Sequence, residues 1–187
     1  MKFLKQILTI IPMALALVFV VSTANALEID LEKSHFSWKG SKITGSEHYG
    51  KLKLKSAKLV NKDQNYKGSE FVVDINSLTV TDLEGDSATK FLKHMKSADF
   101  FEVEKYPTAK LVVDKIENGK LHGQLTIKDK TNAVEMPFTK ENSKYKGKIT
   151  FDRTKYNMVY GSKNFFKNLG DRVINDEVHL SASIYIK

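Results

Sequence analysis

The sequence predicts a mainly β protein: eight antiparallel strands closed into an elongated barrel, with one amphipathic helix inserted between the third and fourth strands. Three observations carry this expectation. Apolar and polar residues alternate through most of the chain, as they do along half-buried strands. Most neighbouring runs are joined by tight turns, which makes them antiparallel. One segment, residues 87–107, breaks the alternation with helical spacing. Eight such strands enclose a space just wide enough for one small ligand, and strands of about ten residues at ~3.3 Å each make that space ~33 Å long.

The first 26 residues stand apart. Lys2 and Lys5 precede an almost wholly apolar run at 7–21, and Ala24-Asn25-Ala26 has the small-x-small form of a cleavage site. Residues 1–26 therefore read as a cleaved secretory signal peptide, leaving a single domain over residues 27–187 and a periplasmic destination. The chain has no cysteine, which excludes disulfides, thiol chemistry, cysteine-bound metals and lipid attachment at an N-terminal cysteine. Its formal charge of +8 falls by two when Lys2 and Lys5 leave. Most of the remaining lysines alternate with apolar residues, as on a solvated outer sheet face, and no nucleic-acid-binding signature is present, so nucleic acid is not an expected partner.

The strands are expected near 34–42, 49–61, 67–76, 108–117, 119–129, 131–141, 145–154 and 176–187. Phe36 and Trp38 share one parity of the first. In the second, Leu52 and Leu54 oppose Lys51, Lys53 and Lys55, but Ala57 and Leu59 continue on odd numbers. One extra residue near Ser56, a β-bulge, accounts for that slip. A polar turn at 63–67 leads to Phe71, Val73 and Ile75. Leu111 and Val113 face one side of the fourth strand, Val112 and Ile116 the other. Asn118-Gly119 is the best hairpin turn, since both residues tolerate positive φ. Leu125 and Ile127 close the fifth strand, and Asp129-Lys130 turns the chain. Pro137 lacks an N–H, so the sixth strand is irregular or paired on one side there. Ile149 and Phe151 lie on one face of the seventh, and Val178, Leu180, Ala182, Ile184 and Ile186 form the long closing strand.

In the helical segment Phe91, Leu92 and Met95 share a face. Asp86 or Ser87 is the expected N-cap, and Lys93, His94 and Lys96 suit the carbonyl end. Phe100, Phe101, Tyr106, Tyr156, Met158, Tyr160, Phe165 and Phe166 fall in connections, where large apolar side chains cap a barrel end, line a cavity mouth or meet a partner. Together with the helix they suggest a lid.

Catalytic signatures are absent: there is no P-loop, GxGxxG, GxSxG or HExxH. The five histidines are scattered singly, without metal-site spacing. No catalytic residue, metal site or cofactor is expected. His48 is the histidine to watch, because Gly45 and Gly50 around it let backbone approach closely. Arg153 leaves the seventh strand beside Asp152, either to pair with an acid at the barrel end or to meet a polar head group.

Trp38-Lys39-Gly40, His48-Tyr49-Gly50, residues 92–101 (LKHMKSADFF), Tyr106-Pro107 with Ala109, Leu125-Thr126-Ile127 and Phe151-Asp152-Arg153 resemble, in this order, the YceI-like family. The resemblance covers essentially all of residues 27–187. It implies a lipocalin-like, elongated barrel that is exported and soluble, and that binds a polyisoprenoid, an isoprenoid quinone or another long amphiphilic lipid rather than catalysing a reaction. On that implication the tail contacts are Phe36, Trp38, Phe71, Val73 and Ile75 on the early strands and Phe91, Leu92 and Met95 on the helix. Leu111, Leu125, Ile149 and Phe151 continue them, with Phe100, Phe101, Tyr156, Met158 and Tyr160 in the lid, and His48 and Arg153 orient the head. Two departures fall at the mouth: Asn157 follows Tyr156 where members often carry Gly close by, and residues 161–171 are aromatic and basic. Transient membrane contact and a homodimer stay open. The rival reading is a filled barrel that serves as a protein-interaction module.

Overall fold

The computed structural model describes residues 26–60 and 66–187. The expected signal peptide, apart from Ala26, and most of the expected turn at 63–67 lie outside the described residues. Eight strands close a ring: β1 (Ile29–Ser41), β2 (Glu47–Val60), β3 (Glu70–Asp74), β4 (Thr108–Glu117), β5 (Lys120–Ile127), β6 (Lys130–Glu141), β7 (Lys144–Asp152) and β8 (Glu177–Ile186). Each pairs antiparallel with its sequence neighbours, and β1 pairs with β8, so the described strands close an up-and-down barrel. A two-residue extension, Ala26–Leu27, pairs with Val60 and Leu59. Helix α1 (Gly85–Lys96) lies between β3 and β4.

Alternation fills the interior. Phe36, Trp38, Leu52, Leu54 and Leu125 point inward and are buried, each worth about 1.5–3 kcal/mol against exposure. The bulge expected near Ser56 is present, as a register shift between Leu54 and Ser56. A second shift lies between Val113 and Lys115. It brings Ile116 to the same interior as Leu111 and Val113, whereas strict alternation puts it on the opposite face. Asn118 and Gly119 take φ of 52° and 74°, as the expected hairpin requires. The turn after β5 sits one residue earlier than expected, with Lys128 at φ 56° and Ile127 paired to Lys130. Strand β3 is shorter than expected because residues 75–77 curl into a 3₁₀ turn capped by Asp74. Pro137 is in register with Lys120 of β5, and pairing between β6 and β7 begins only at Phe138.

Because the strands run up and down, their connections alternate between two ends. The turn at 42–46, the connection at 75–107 that carries α1, the turn at Lys128 and the connection at 153–176 share one end, here the upper end. The turns at 118–119 and 142–143 share the lower end. There Tyr66 and Tyr145 meet with their hydroxyls 3.2 Å apart, and burial, reinforced by that contact, pushes the Tyr66 phenol up to about 12.

Candidate functional site

A cavity of about 480 Å³ occupies the upper half of the barrel. Its wall is built from the inward faces of β1, β3, β5 and β8 (Trp38, Val73, Leu125 and Leu180 among them) and is roofed by Phe91, Met95 and Phe100. At its rim stand Ser46, Tyr160 and Arg172, all exposed, so it opens to solvent at the upper end. A second void of about 60 Å³, wholly apolar, lies in the lower half among Phe71, Leu111, Met136 and Tyr145. Phe36 borders both spaces and divides them.

The roof is positioned by the chain around it. Helix α1 begins at Gly85, with Glu84 in the N-cap position and no side-chain cap bond, so neither Asp86 nor Ser87 caps it. Phe91 stacks on Trp38, the rings 6.0 Å apart and 6° from parallel, and packs against His48 at 4.8 Å. The Trp38 indole N–H donates to the Thr79 carbonyl at 3.1 Å. A Cβ on Gly50 would sit 1.7 Å from that same carbonyl oxygen, so the glycine beside His48 is what lets the 79–81 segment lie against β2. Asp82 ties the segment down, accepting from the Tyr49 N–H at 2.8 Å and contacting His48 Nδ1 at 2.7 Å. Burial acts to raise its carboxyl, but these two bonds outweigh it and hold the group below the ordinary aspartate value. At the far end of the helix, His94 meets Asp99 at 3.0 Å and packs edge-on against Phe100 and Tyr160. The Ser97 hydroxyl donates to the His94 carbonyl, and the Val103 amide bonds Lys96, so the aromatic tail folds back beneath the helix.

Arg153 sits at the base of the other long connection, only 2 % exposed. Its guanidinium donates to the carbonyls of Asn175 and Ile174, each at 3.0 Å, to that of Met158, and to Asp176 at 3.3 Å. Burial pulls its pKa below the ordinary value, against the opposing pull of Asp176 and Asp152. Arg153 thus does what the acid-pairing alternative describes, while also forming part of the cavity wall. Asn157 takes the left-handed conformation, φ 59°, which Asn and Gly adopt most readily. The departure there from the glycine-rich pattern leaves the turn intact.

Of the residues expected on the sequence, Phe36, Trp38, His48, Val73 and Ile75 border the large cavity. So do Phe91, Met95, Phe100 and Phe101 from the helical insertion, and Leu125, Phe151, Arg153, Met158 and Tyr160 from later in the chain. Phe71 and Leu111 border only the small void. Leu92, Ile149 and Tyr156 border neither. Leu92 is on the flank of the helix, and Tyr156 is core, 1 % exposed and edge-on to Phe151 at 5.5 Å. Sequence reasoning missed Leu52, Ala109, Val178 and Leu180 on the wall and Lys42 and Arg172 at the rim. Inward parity combined with the up-and-down strand order was the signal for the wall: these four lie toward strand ends that meet at the top. The rim cations carry no such signal. A filled barrel does not describe the interior.

A family model described as YceI-like domain matches residues 27–186. No curated protein matches the chain. Among solved structures, the chain is similar to BcnA of Burkholderia cenocepacia, with a TM-score of 0.61, 20% identity, and 84% of this chain and 98% of that one covered. It is similar to a polyisoprenoid binding domain from Saccharophagus degradans implicated in plant cell wall breakdown, with a TM-score of 0.63, 14% identity, and 87% and 98% covered. A YceI protein of Campylobacter jejuni aligns at a TM-score of 0.50 and 17% identity, covering 71% and 80%. At these identities the likeness is one of fold.

Proposed function

The chain belongs to the YceI-like domain family, and from that premise we propose that it is an exported binding protein, not a catalyst, which holds the tail of a long-chain isoprenoid or similar amphiphile in its upper cavity. The observation that carries this reading is the cavity itself. It measures about 480 Å³, within the range of roughly 300–1,000 Å³ typical of small-molecule sites. Its wall is apolar along most of the strands and gains its polar groups toward the upper end, His48, His94, Arg153, Arg172 and Asn175 among them. An amphiphile fits that gradient tail first. Burial of the tail contributes about 0.8 kcal/mol per CH₂, less the cost of ordering a flexible chain. The likeness to a polyisoprenoid binding domain favours a prenyl chain, and an isoprenoid quinone belongs to the same class. The periplasm is the proposed location, and carriage or sequestration the proposed role. His48 and Arg172, with the Asn175 amide, are the groups nearest the emerging head.

The test is native mass spectrometry of the protein purified from its own host. One lipid per chain, released on denaturation and identified by its mass, is the expected result. A bare chain that also takes up no long prenyl lipid when offered one contradicts the proposal.

A further inference from the structure

Six large hydrophobic side chains are conspicuously exposed among the described residues, and four of them, Ile43, Tyr160, Phe165 and Phe166, lie in the two upper-end loops around the cavity mouth. Phe165 and Phe166 are 58 % and 45 % exposed. They are not on a loose loop. Their amides both bond the carbonyl of Ser162, at 3.1 and 3.0 Å. Ser162 is fully buried, and its hydroxyl donates to Asp176, the carboxylate that also meets Arg153. Asn164 reaches the same carboxylate at 2.7 Å. The Arg153–Asp176 knot thus holds two phenyl rings out into water. Ile43 joins them from the neighbouring turn, its amide bonded to the Val173 carbonyl at 3.1 Å, while Lys42 bridges to Ile174.

Cations predominate on the loop that carries these rings. Lys163 and Lys167 flank the phenylalanine pair, Arg172 and Lys42 stand at the cavity rim, and Asp171 is the only acid between residues 161 and 172. None of these four cations has an ion-pair partner among the described residues: Arg172 bonds only the Leu169 carbonyl. Exposed aromatics set among cations match the boundary of an anionic bilayer, where rings settle at head-group depth and each nearby cation is drawn to the surface charge. We infer that the upper-end rim, led by Phe165 and Phe166 with Lys163 and Lys167, docks on a membrane surface containing anionic phospholipid. The cavity opens inside this patch, so a tail passes between bilayer and barrel without crossing water. The inference deepens the lipid-binding reading, but attachment is measured on the lipid-free protein and fails or succeeds independently of cargo uptake.

The experiment is co-sedimentation with phosphatidylcholine vesicles, with and without phosphatidylglycerol, at low and high salt. Binding is expected only to the mixed vesicles, weakened by salt. It is expected to fall at least about tenfold in Phe165→Ser/Phe166→Ser and in Lys163→Glu/Lys167→Glu. Reversing Lys51 and Lys53, on the outer face of β2, is expected to leave it within a few-fold. These residues are exposed, so unchanged near-ultraviolet circular dichroism serves as the folding control. Three results overturn the inference: no binding to mixed vesicles at low salt, binding unaffected by both rim variants, or light scattering that shows Phe165 and Phe166 holding a dimer in place of binding vesicles.

Discussion

Arg153 and Gly50 show how single residues hold the mouth in shape. Arg153 spends its guanidinium on three backbone carbonyls and Asp176 inside a nearly sealed site. Arg153→Ala is therefore expected to cost about 3–5 kcal/mol in urea unfolding, because Asp176 is left without its cation and the carbonyls without donors. Arg153→Lys is expected to recover only part of this, since one ammonium cannot reproduce the planar fork. Gly50→Ala is expected to destabilise by about 1–3 kcal/mol, the usual cost of forcing atoms into a filled space, as the new methyl collides with the Thr79 carbonyl. The sequence shows that a glycine beside His48 admits close approach. It does not show what approaches, because residues 79–82 carry no periodic pattern and are set against β2 by the amides of Thr79 and Thr81, which donate to it, and by the Asp82 carboxylate, which accepts from the Tyr49 N–H.

The helical insertion is where neighbours in sequence have different roles. Phe91 stacks on Trp38 over the cavity, whereas Leu92 packs beside it without reaching the space. Phe91→Ala is expected to weaken lipid retention more than stability, and Leu92→Ala to lower stability with retention in the folded fraction unchanged. Retention by native mass spectrometry and unfolding by urea separate the two. Helical periodicity cannot tell them apart, since both lie on the apolar face. The segment leading into the helix also carries a pH dependence. The folded Asp82 carboxyl titrates below its ordinary value of 3.8, so its contribution is full above that value and is lost as the pH falls through the lower, folded one. Stability of the wild type and of Asp82→Asn, measured across the acid range, is therefore expected to differ at neutral pH and converge at the acid end. Elsewhere the same logic of legibility holds. The bulge at Ser56 is readable because a run of leucines and lysines changes phase there. The one after Val113 is hidden, since Asp114-Lys115 are polar on either reading and only Ile116 shifts face.

At the scale of the whole molecule, up-and-down closure gathers the connections at 75–107 and 153–176 at one end, opposite the turns at 118–119 and 142–143. That arrangement makes a container with a mouth, a roof and a floor. Eight strands, the inserted helix and most inward residues were legible from alternation and turn chemistry. The partition of the interior was not, because it depends on which inward side chains meet across the barrel axis. Phe36 is that partition. Phe36→Ala is expected to cost about 3–5 kcal/mol and to join the two spaces, shifting preference toward longer tails when prenols of graded length compete for the barrel. The central claim is that the upper cavity takes up an apolar tail, and the protein carries its own reporter for it. Trp38 is the only tryptophan in the chain and is part of the cavity wall beneath Phe91. The measurement is a titration of the delipidated protein with a long-chain prenol brominated along its tail, read as Trp38 fluorescence. Quenching that saturates at one ligand per chain, and that an unbrominated prenol reverses, is the expected result. Emission that stays unchanged while the ligand is demonstrably in solution contradicts it.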